Sequence, residues 1–326
     1  MPSQTLPPSA RRYAAAQTRE TAAATSAVRR LWRAMGDDFD LTYARIEPRV
    51  LAVVTTAQRR MAAAAQDYVP EVMTQTGLAH ATTPAGRTSV ASLVGVDGSG
   101  RGLGSGLYGS VTTAKSAVGA GASPAEALAQ GGRWMDRMVT TALADTSRQS
   151  EALGIGVRPE VTWYVRMLNG PSCSRCVLLA GKRYRSATEF QRHPGCDCRH
   201  IPAAESVAGD LTVDPVRYFE SLTPDEQATA FGVAGSEAIR AGADIGQVVN
   251  ARRGMSASQV GGQRVLTTTE GTTRRGLARQ RIAGTQATGQ RYARSPVLRL
   301  MPETIAKVAT DHDDYLRLLY TYGYLV

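Results

Sequence analysis

The chain is poor in large aromatic residues, with four Phe and three Trp among 326 residues. Its cores must therefore be thin in bulky side chains and built from long, Ala-rich helices. Cysteine is equally rare: four residues, all between 173 and 198, which excludes a disulfide scaffold. No run of eighteen apolar residues occurs, so no transmembrane helix and no membrane partner are expected. Acids are in deficit, 28 Asp and Glu against 38 Lys and Arg. The net charge of +10 favours a polyanion such as nucleic acid, or an acidic protein surface, as partner. Met1 to Ala16 carries two Arg and no acid but no apolar stretch, which argues against a secretory signal; composition alone permits an organellar transit peptide. A reducing compartment is then the default, and clustered thiols there point to a metal before bridges.

What is present suggests two domains plus a loose segment. Apolar residues recur at helical spacing from about Thr18 to Met73: Val28, Leu31, Trp32, Met35 and Phe39, then Ile46, Val50, Val53, Ala57, Met61, Ala64 and Tyr68. Pro48 is expected to open the second helix of this pair, and the Pro-rich leader up to Ala10 to be mobile. Residues 86–122 are rich in Gly, Ser and Thr. Within them, Gly98-Ser99-Gly100-Arg101-Gly102-Leu103-Gly104 has the glycine density of a phosphate-binding loop but neither a Gly-Lys-Ser/Thr end nor a strand–helix frame. The stretch reads as a flexible connector. Ser123-Pro124-Ala125-Glu126 is a capping box that starts a helix running to about Leu153, its inward face Leu128, Gly131, Met135, Met138, Val139, Ala142 and Leu143.

Val161, Trp163, Val165 and Met167 alternate with Thr162, Tyr164 and Arg166, the period of a half-buried strand that ends at the Asn169-Gly170 turn. Asp214-Pro215 and Thr223-Pro224-Asp225-Glu226 start two further helices, and Ala228 to Val249 reads as helices broken near Gly235 and Gly242. From 251 to 300 ten Arg face one acid, Glu270, with too few apolar residues to fold alone. A helical pair closes the chain, opening at Pro302. The expected fold class is α+β and mostly helical: an N-terminal helical domain, a small strand-and-knuckle Cys/His module and C-terminal helices. Its divisions are 1–85 (helical), 86–122 (connector), 123–250 (knuckle-bearing domain), 251–300 (loose, Arg-rich) and 301–326 (helical).

The chemistry is concentrated in one place. Cys173-Ser174-Arg175-Cys176 is followed after a spacer by His193-Pro194-Gly195-Cys196-Asp197-Cys198. A C-x-x-C turn sets two sulfurs within reach of one ion, and a second ligand group after a spacer closes the tetrahedron that Zn²⁺ takes in structural sites. The candidate metal ligands are Cys173, Cys176, His193, Cys196 and Cys198, of which four suffice. Thiolates suit Zn²⁺ or an iron–sulfur centre, and the absence of paired carboxylates argues against Mg²⁺ or Ca²⁺. Two disulfides, or four thiols that only pack, are the plainer alternatives. His200 lies beyond the pairs and reads as a surface residue.

Cys173, Cys176, Leu179, Gly181, Lys182 and Tyr184, then His193-Pro194, Cys196, Cys198 and Pro202, resemble in order and spacing the core signature of the MuF-like minor head proteins of tailed bacteriophages. The wider layout is similar to minor head proteins of actinobacterial phages. The resemblance implies a low-copy virion component in the head interior or at the portal vertex, present in host cytoplasm during assembly and acting in head assembly, DNA packaging or ejection. Its partners would be portal and capsid proteins, with packaged DNA contacted through 251–300, and 123–250 would be the MuF-like domain. The family's cysteine and histidine positions fall on Cys173, Cys176, His193, Cys196 and Cys198, with structural zinc as the cofactor, and Leu179, Gly181 and Lys182 would build the turn between them. Asp197 departs from the pattern, since that position is often basic in the family; this removes the expectation of nucleic-acid contact there.

An enzyme is the rival class, above all a capsid maturation protease. A serine triad needs a base and an orienting acid beside the nucleophile. The chain has four His, at 80, 193, 200 and 312, and no G-x-S-x-G motif. Clustered thiols that compete for metal make poor free nucleophiles, and the E-x-E pair of an ADP-ribosyltransferase is missing. No catalytic residue is assigned. A zinc-knuckle DNA-binding protein is the second alternative, its Arg side chains neutralising phosphates without reading sequence.

Overall fold

The computed structural model describes residues 6–168, 172–187, 196, 198–208, 211, 214–260, 262–270 and 294–325. They form a mostly helical α+β protein that divides into two compact units, 1–169 with 180–212 and 170–179 with 213–326.

The first unit is built on four long helices, α1 (Pro8–Trp32), α2 (Phe39–Gln75), α3 (Leu103–Gly119) and α4 (Pro124–Gly156). Tyr13 stacks on Tyr68 at 4.1 Å and Glu20 pairs with Arg60, so the start of α1 meets the end of α2 and the pair is antiparallel. The core runs through Val28, Tyr43, Val50, Val54, Met61, Leu107, Val111, Met135, Val139 and Leu143. Asp38, not Pro48, opens α2: its carboxylate accepts from the Leu41 amide at 3.0 Å, and Pro48 sits exposed inside the helix. A cap that satisfies a free amide defines the start, and the proline inside the helix gives up its hydrogen bond and crowds the carbonyl four residues back. The leader is shorter than expected too, because α1 begins at Pro8, the first-turn position that suits proline.

The stretch read as a flexible connector, 86–122, contributes α3 to this core. Leu103, Leu107, Val111 and Ala114 recur at helical spacing and are buried. Its small residues serve close packing against α4. A Cβ on Gly106 would meet Met138 at 2.6 Å, one on Gly109 would meet Trp134 at 2.5 Å, and one on Gly131 of α4 would meet the Ser110 carbonyl at 2.6 Å. The preceding loop is also held. The buried Asp97 carboxylate accepts from the Ser99 amide at 2.8 Å and the Arg101 amide at 3.1 Å, while Gln149 donates to the Gly98 carbonyl at 3.0 Å. The capping box at Ser123 and Glu126 forms as its sequence requires.

A three-stranded antiparallel sheet completes this unit in the order β2 (Arg183–Arg185), β1 (Trp163–Met167), β3 (Arg199–Pro202). Val165 faces Arg183 on one side and Ile201 on the other. As the central strand, β1 is buried on both faces from Tyr164 to Met167, Arg166 included, so chemical alternation does not translate into one wet face. The Asn169-Gly170 turn lies outside the described residues. A short helix, α6 (Glu205–Ala208), follows.

The second unit holds α5 (Ser174–Leu179), α7 (Pro215–Glu220), α8 (Pro224–Phe231), α9 (Val233–Arg240), α10 (Ile245–Ala251), a sheet of β4 (Met255–Val260), β5 (Gln263–Glu270) and β6 (Arg294–Leu300), then α11 (Pro302–Val308) and α12 (His312–Thr321). Thr223 and Glu226 form the second capping box, and Phe219 meets Phe231 edge to face at 5.2 Å. The sheet corrects the reading of 251–300 as a loose segment, at least at 255–260, 263–270 and 294–300; residues 271–293 lie outside the described residues. Composition misled because ladder hydrogen bonds and buried threonines, Thr267 and Thr268, substitute for a large apolar face. Arg299 is buried as well, donating to the Tyr322 carbonyl at 2.7 Å and the Glu270 carbonyl at 2.8 Å with its guanidinium over the Tyr324 ring. The folding units therefore cut across the five divisions drawn from composition.

Candidate metal centre

Each half of the cysteine motif is set by local structure. Cys176 lies on the six-residue helix α5, whose first turn is closed by the Val177 amide donating to the Cys173 carbonyl at 3.1 Å. The chain then turns through Gly181 at a φ of 70°, which a side chain would strain, and pairs with β1: the Gly181 amide donates to the Arg166 carbonyl at 2.8 Å. Cys196 and Cys198 lead into β3, and β3 is pinned along its length. Tyr68 Oη donates to the His200 carbonyl at 2.9 Å, Thr76 Oγ1 to the Pro202 carbonyl at 2.6 Å, and the His200 amide to Glu151 Oε2 at 2.9 Å.

Three of the five candidate ligands are buried, Cys196 and Cys198 in the first unit and Cys176 in the second. None of the four cysteines is joined in a disulfide. Cys173 is half-buried. His193 and Asp197 lie outside the described residues. Buried sulfur donors fit a soft or borderline metal ion.

The surroundings correct one expectation. His200 is not a surface residue: it is 2% exposed, its Nδ1 lies 2.9 Å from Glu151 Oε2, and its ring packs edge-on against Tyr164 at 4.4 Å. A layer of buried polar residues surrounds it, including Arg148, Glu151, Arg166 and Arg199. Arg166 Nη2 approaches the Cys196 sulfur at 3.5 Å, and Arg148 donates to the Cys196 carbonyl and pairs with Asp145. Burial, reinforced by the negative charge of Glu151, raises the Tyr13 and Tyr68 phenols well above their ordinary value and keeps them neutral. Sequence reading missed this layer although a signal was present. Continuing the α4 stripe by helical spacing from Leu143 gives Ser147, Glu151 and Ile155, all of which are buried.

Of the other histidines, His80 is exposed beside Glu160 and His312 is exposed at the start of α12. No helix among the described residues is long and apolar enough to cross a membrane. Comparison with family models, with curated proteins and with solved structures returned no match.

Proposed function

We propose that this chain is a minor head protein of a tailed bacteriophage, similar to the MuF-like proteins, and that its 173–198 segment is a structural zinc module. The observation that carries the reading is the buried pair Cys196 and Cys198 that leads into β3, two positions of the motif that resembles the family signature. Zinc bound there would supply no chemistry beyond cross-linking. Cys173 or His193 is the fourth donor, and Zn²⁺ is the ion, because tetrahedral thiolate-rich sites are its usual structural form. On this reading the protein sits at the portal vertex or head interior, contacts portal and capsid proteins, and touches packaged DNA through 251–300.

Two measurements test it. Mass spectrometry of purified virions should find the chain at low copy; its absence from particles overturns the virion role. Metal analysis of protein purified without added zinc should find about one Zn²⁺ per chain, with a lower melting temperature after chelation. Less than about a tenth of an equivalent, with melting unchanged by chelator, leaves only packed thiols.

A further inference from the structure

Helix α1 has one outward row that is purely cationic. Arg11, Ala15, Arg19, Ala22, Ser26, Arg30 and the capping residue Arg33 follow one another three or four residues apart, so they line one side of the helix. All seven are exposed. Arg30 bears out the alignment, since its Nη1 donates to Ser26 Oγ at 2.8 Å. At the rise of an α-helix the row spans about 33 Å.

The charges beside the row are matched, and those within it are not. Glu20, the one acid of α1, pairs with Arg60 at 3.2 Å; Arg12 pairs with Glu71, and Arg29 with Asp136 at 3.0 Å. Among the described residues, Arg11, Arg19, Arg30 and Arg33 have no carboxylate partner. Such a row does not serve the helix itself. Stabilising pairs set an acid and a base three or four residues apart, whereas like charges at that spacing repel. Arg30 and Arg33 suit the negative end of the helix dipole, but Arg11 stands just past the first turn, near the positive end, where a cation gains nothing.

The composition of the row selects its partner. A protein interface needs apolar or aromatic anchors, and a helix lying in a membrane surface needs large apolar side chains beside its cations. Single strands are held by stacking bases on aromatic rings. Only Ala and Ser stand between these arginines. The phosphate backbone of a duplex needs no more than cations, and small side chains let a helix approach it closely. We propose that this face of α1 is a nucleic-acid interface, on which Arg11, Arg19, Arg30 and Arg33 neutralise phosphates of duplex DNA without reading its sequence. It is a second site, apart in sequence from 251–300, and independent of the metal module.

The test uses the full chain. Binding to two duplexes of unrelated sequence is measured by fluorescence anisotropy over a range of salt. The proteins are the wild type, a variant combining Arg11→Gln, Arg19→Gln, Arg30→Gln and Arg33→Gln, and the four corresponding Arg→Lys changes together. The wild type should bind both duplexes alike. Each neutralised phosphate contributes about 0.9 to the slope of log affinity against log salt, so the Gln variant should lose about 3–4 of it. The Lys variant should keep the wild-type slope, because charge and not the guanidinium fork makes the contact. A wild type that binds no DNA at low salt overturns the proposal, as does a Lys variant with the slope of the Gln variant. So does a folded Gln variant with the wild-type slope, an outcome that leaves a contact through 251–300 standing. If that Gln variant instead loses binding to poly-glutamate, the face belongs to an acidic protein. Should the fourfold Gln variant not fold, Arg11→Gln with Arg19→Gln decides, with an expected loss of about 2 in slope.

Discussion

The two halves of helix α4 bury themselves by opposite means. From Ala127 to Leu143 its inward residues are Ala, Gly, Met, Val and Leu, pressed against α3 so closely that Gly131 has no room for a methyl group. From Thr146 to Ile155 the same stripe is largely polar: Thr146, Ser147, Arg148, Ser150 and Glu151. Each of these finds a specific partner. Ser147 bonds Gln17 at 2.9 Å, Ser150 the Ala62 carbonyl at 2.8 Å, and Glu151 the His200 amide and ring. The apolar half gains from area and shape and tolerates exchange of one hydrophobe for another of similar volume. The polar half gains little net energy per bond but loses heavily when a partner is removed, because the survivor stays buried and unsatisfied. The second kind of packing is the one that holds the strand leading from the cysteines.

The largest test of that contrast is Glu151→Ala. Removing the anion that faces Arg199 and His200 should cost about 3–5 kcal/mol, readable as a lowered urea midpoint. A loss below about 1 kcal/mol, the scale of an exposed ion pair, would show that this half is not organised by charge.

A smaller effect separates tight from open positions along the helix. Gly131→Ala should destabilise by about 1–3 kcal/mol, since the added methyl meets a main-chain carbonyl that cannot swing aside. Gly156→Ala, at the far end with nothing within 4 Å, should be neutral or stabilising by up to about 1 kcal/mol. Thermal melts of the two variants check the pair, and equal shifts would remove the packing argument for α3.

The smallest effect lies in the loop before α3. Partial burial of Asp97 opposes ionisation, yet hydrogen bonds from Ser99 and Arg101 hold its carboxyl below the usual range. A depressed folded value means that its stabilisation is present above the unfolded pKa of about 3.9 and fades as pH falls through the folded one. Asp97→Asn should therefore cost about 1 kcal/mol at neutral pH and flatten the acid limb of melting temperature against pH below about 4. A limb as steep as that of the wild type would show that Asp97 does not contribute to it.

Much of the architecture was legible because its signals are short. The capping boxes at Ser123 and Thr223 act within one helical turn, and the strand through 163–167 follows from side-chain alternation. The site was legible in part: C-x-x-C and C-x-C marked the thiols, but spacing alone could not tell that Cys176, Cys196 and Cys198 are buried while Cys173 is half-buried. The glycines of 86–122 read as slack because a glycine in a loop and one at a close helix contact look the same in sequence; only the neighbouring helix distinguishes them.

By itself, then, the sequence determined the capped helix starts at Ser123 and Thr223, the mostly helical α+β class, the strand through 163–167 and the cysteine cluster. These depend on groups a few residues apart, whose contacts form whatever the rest of the chain does. The tertiary structure alone decided which charged residues are buried. Glu151 and His200 are 49 residues apart, and neither can be inside without the other. A buried charge is stable only when a partner from another element arrives to meet it, and that partner is chosen by the packing of α4 against β3, not by any local run of residues.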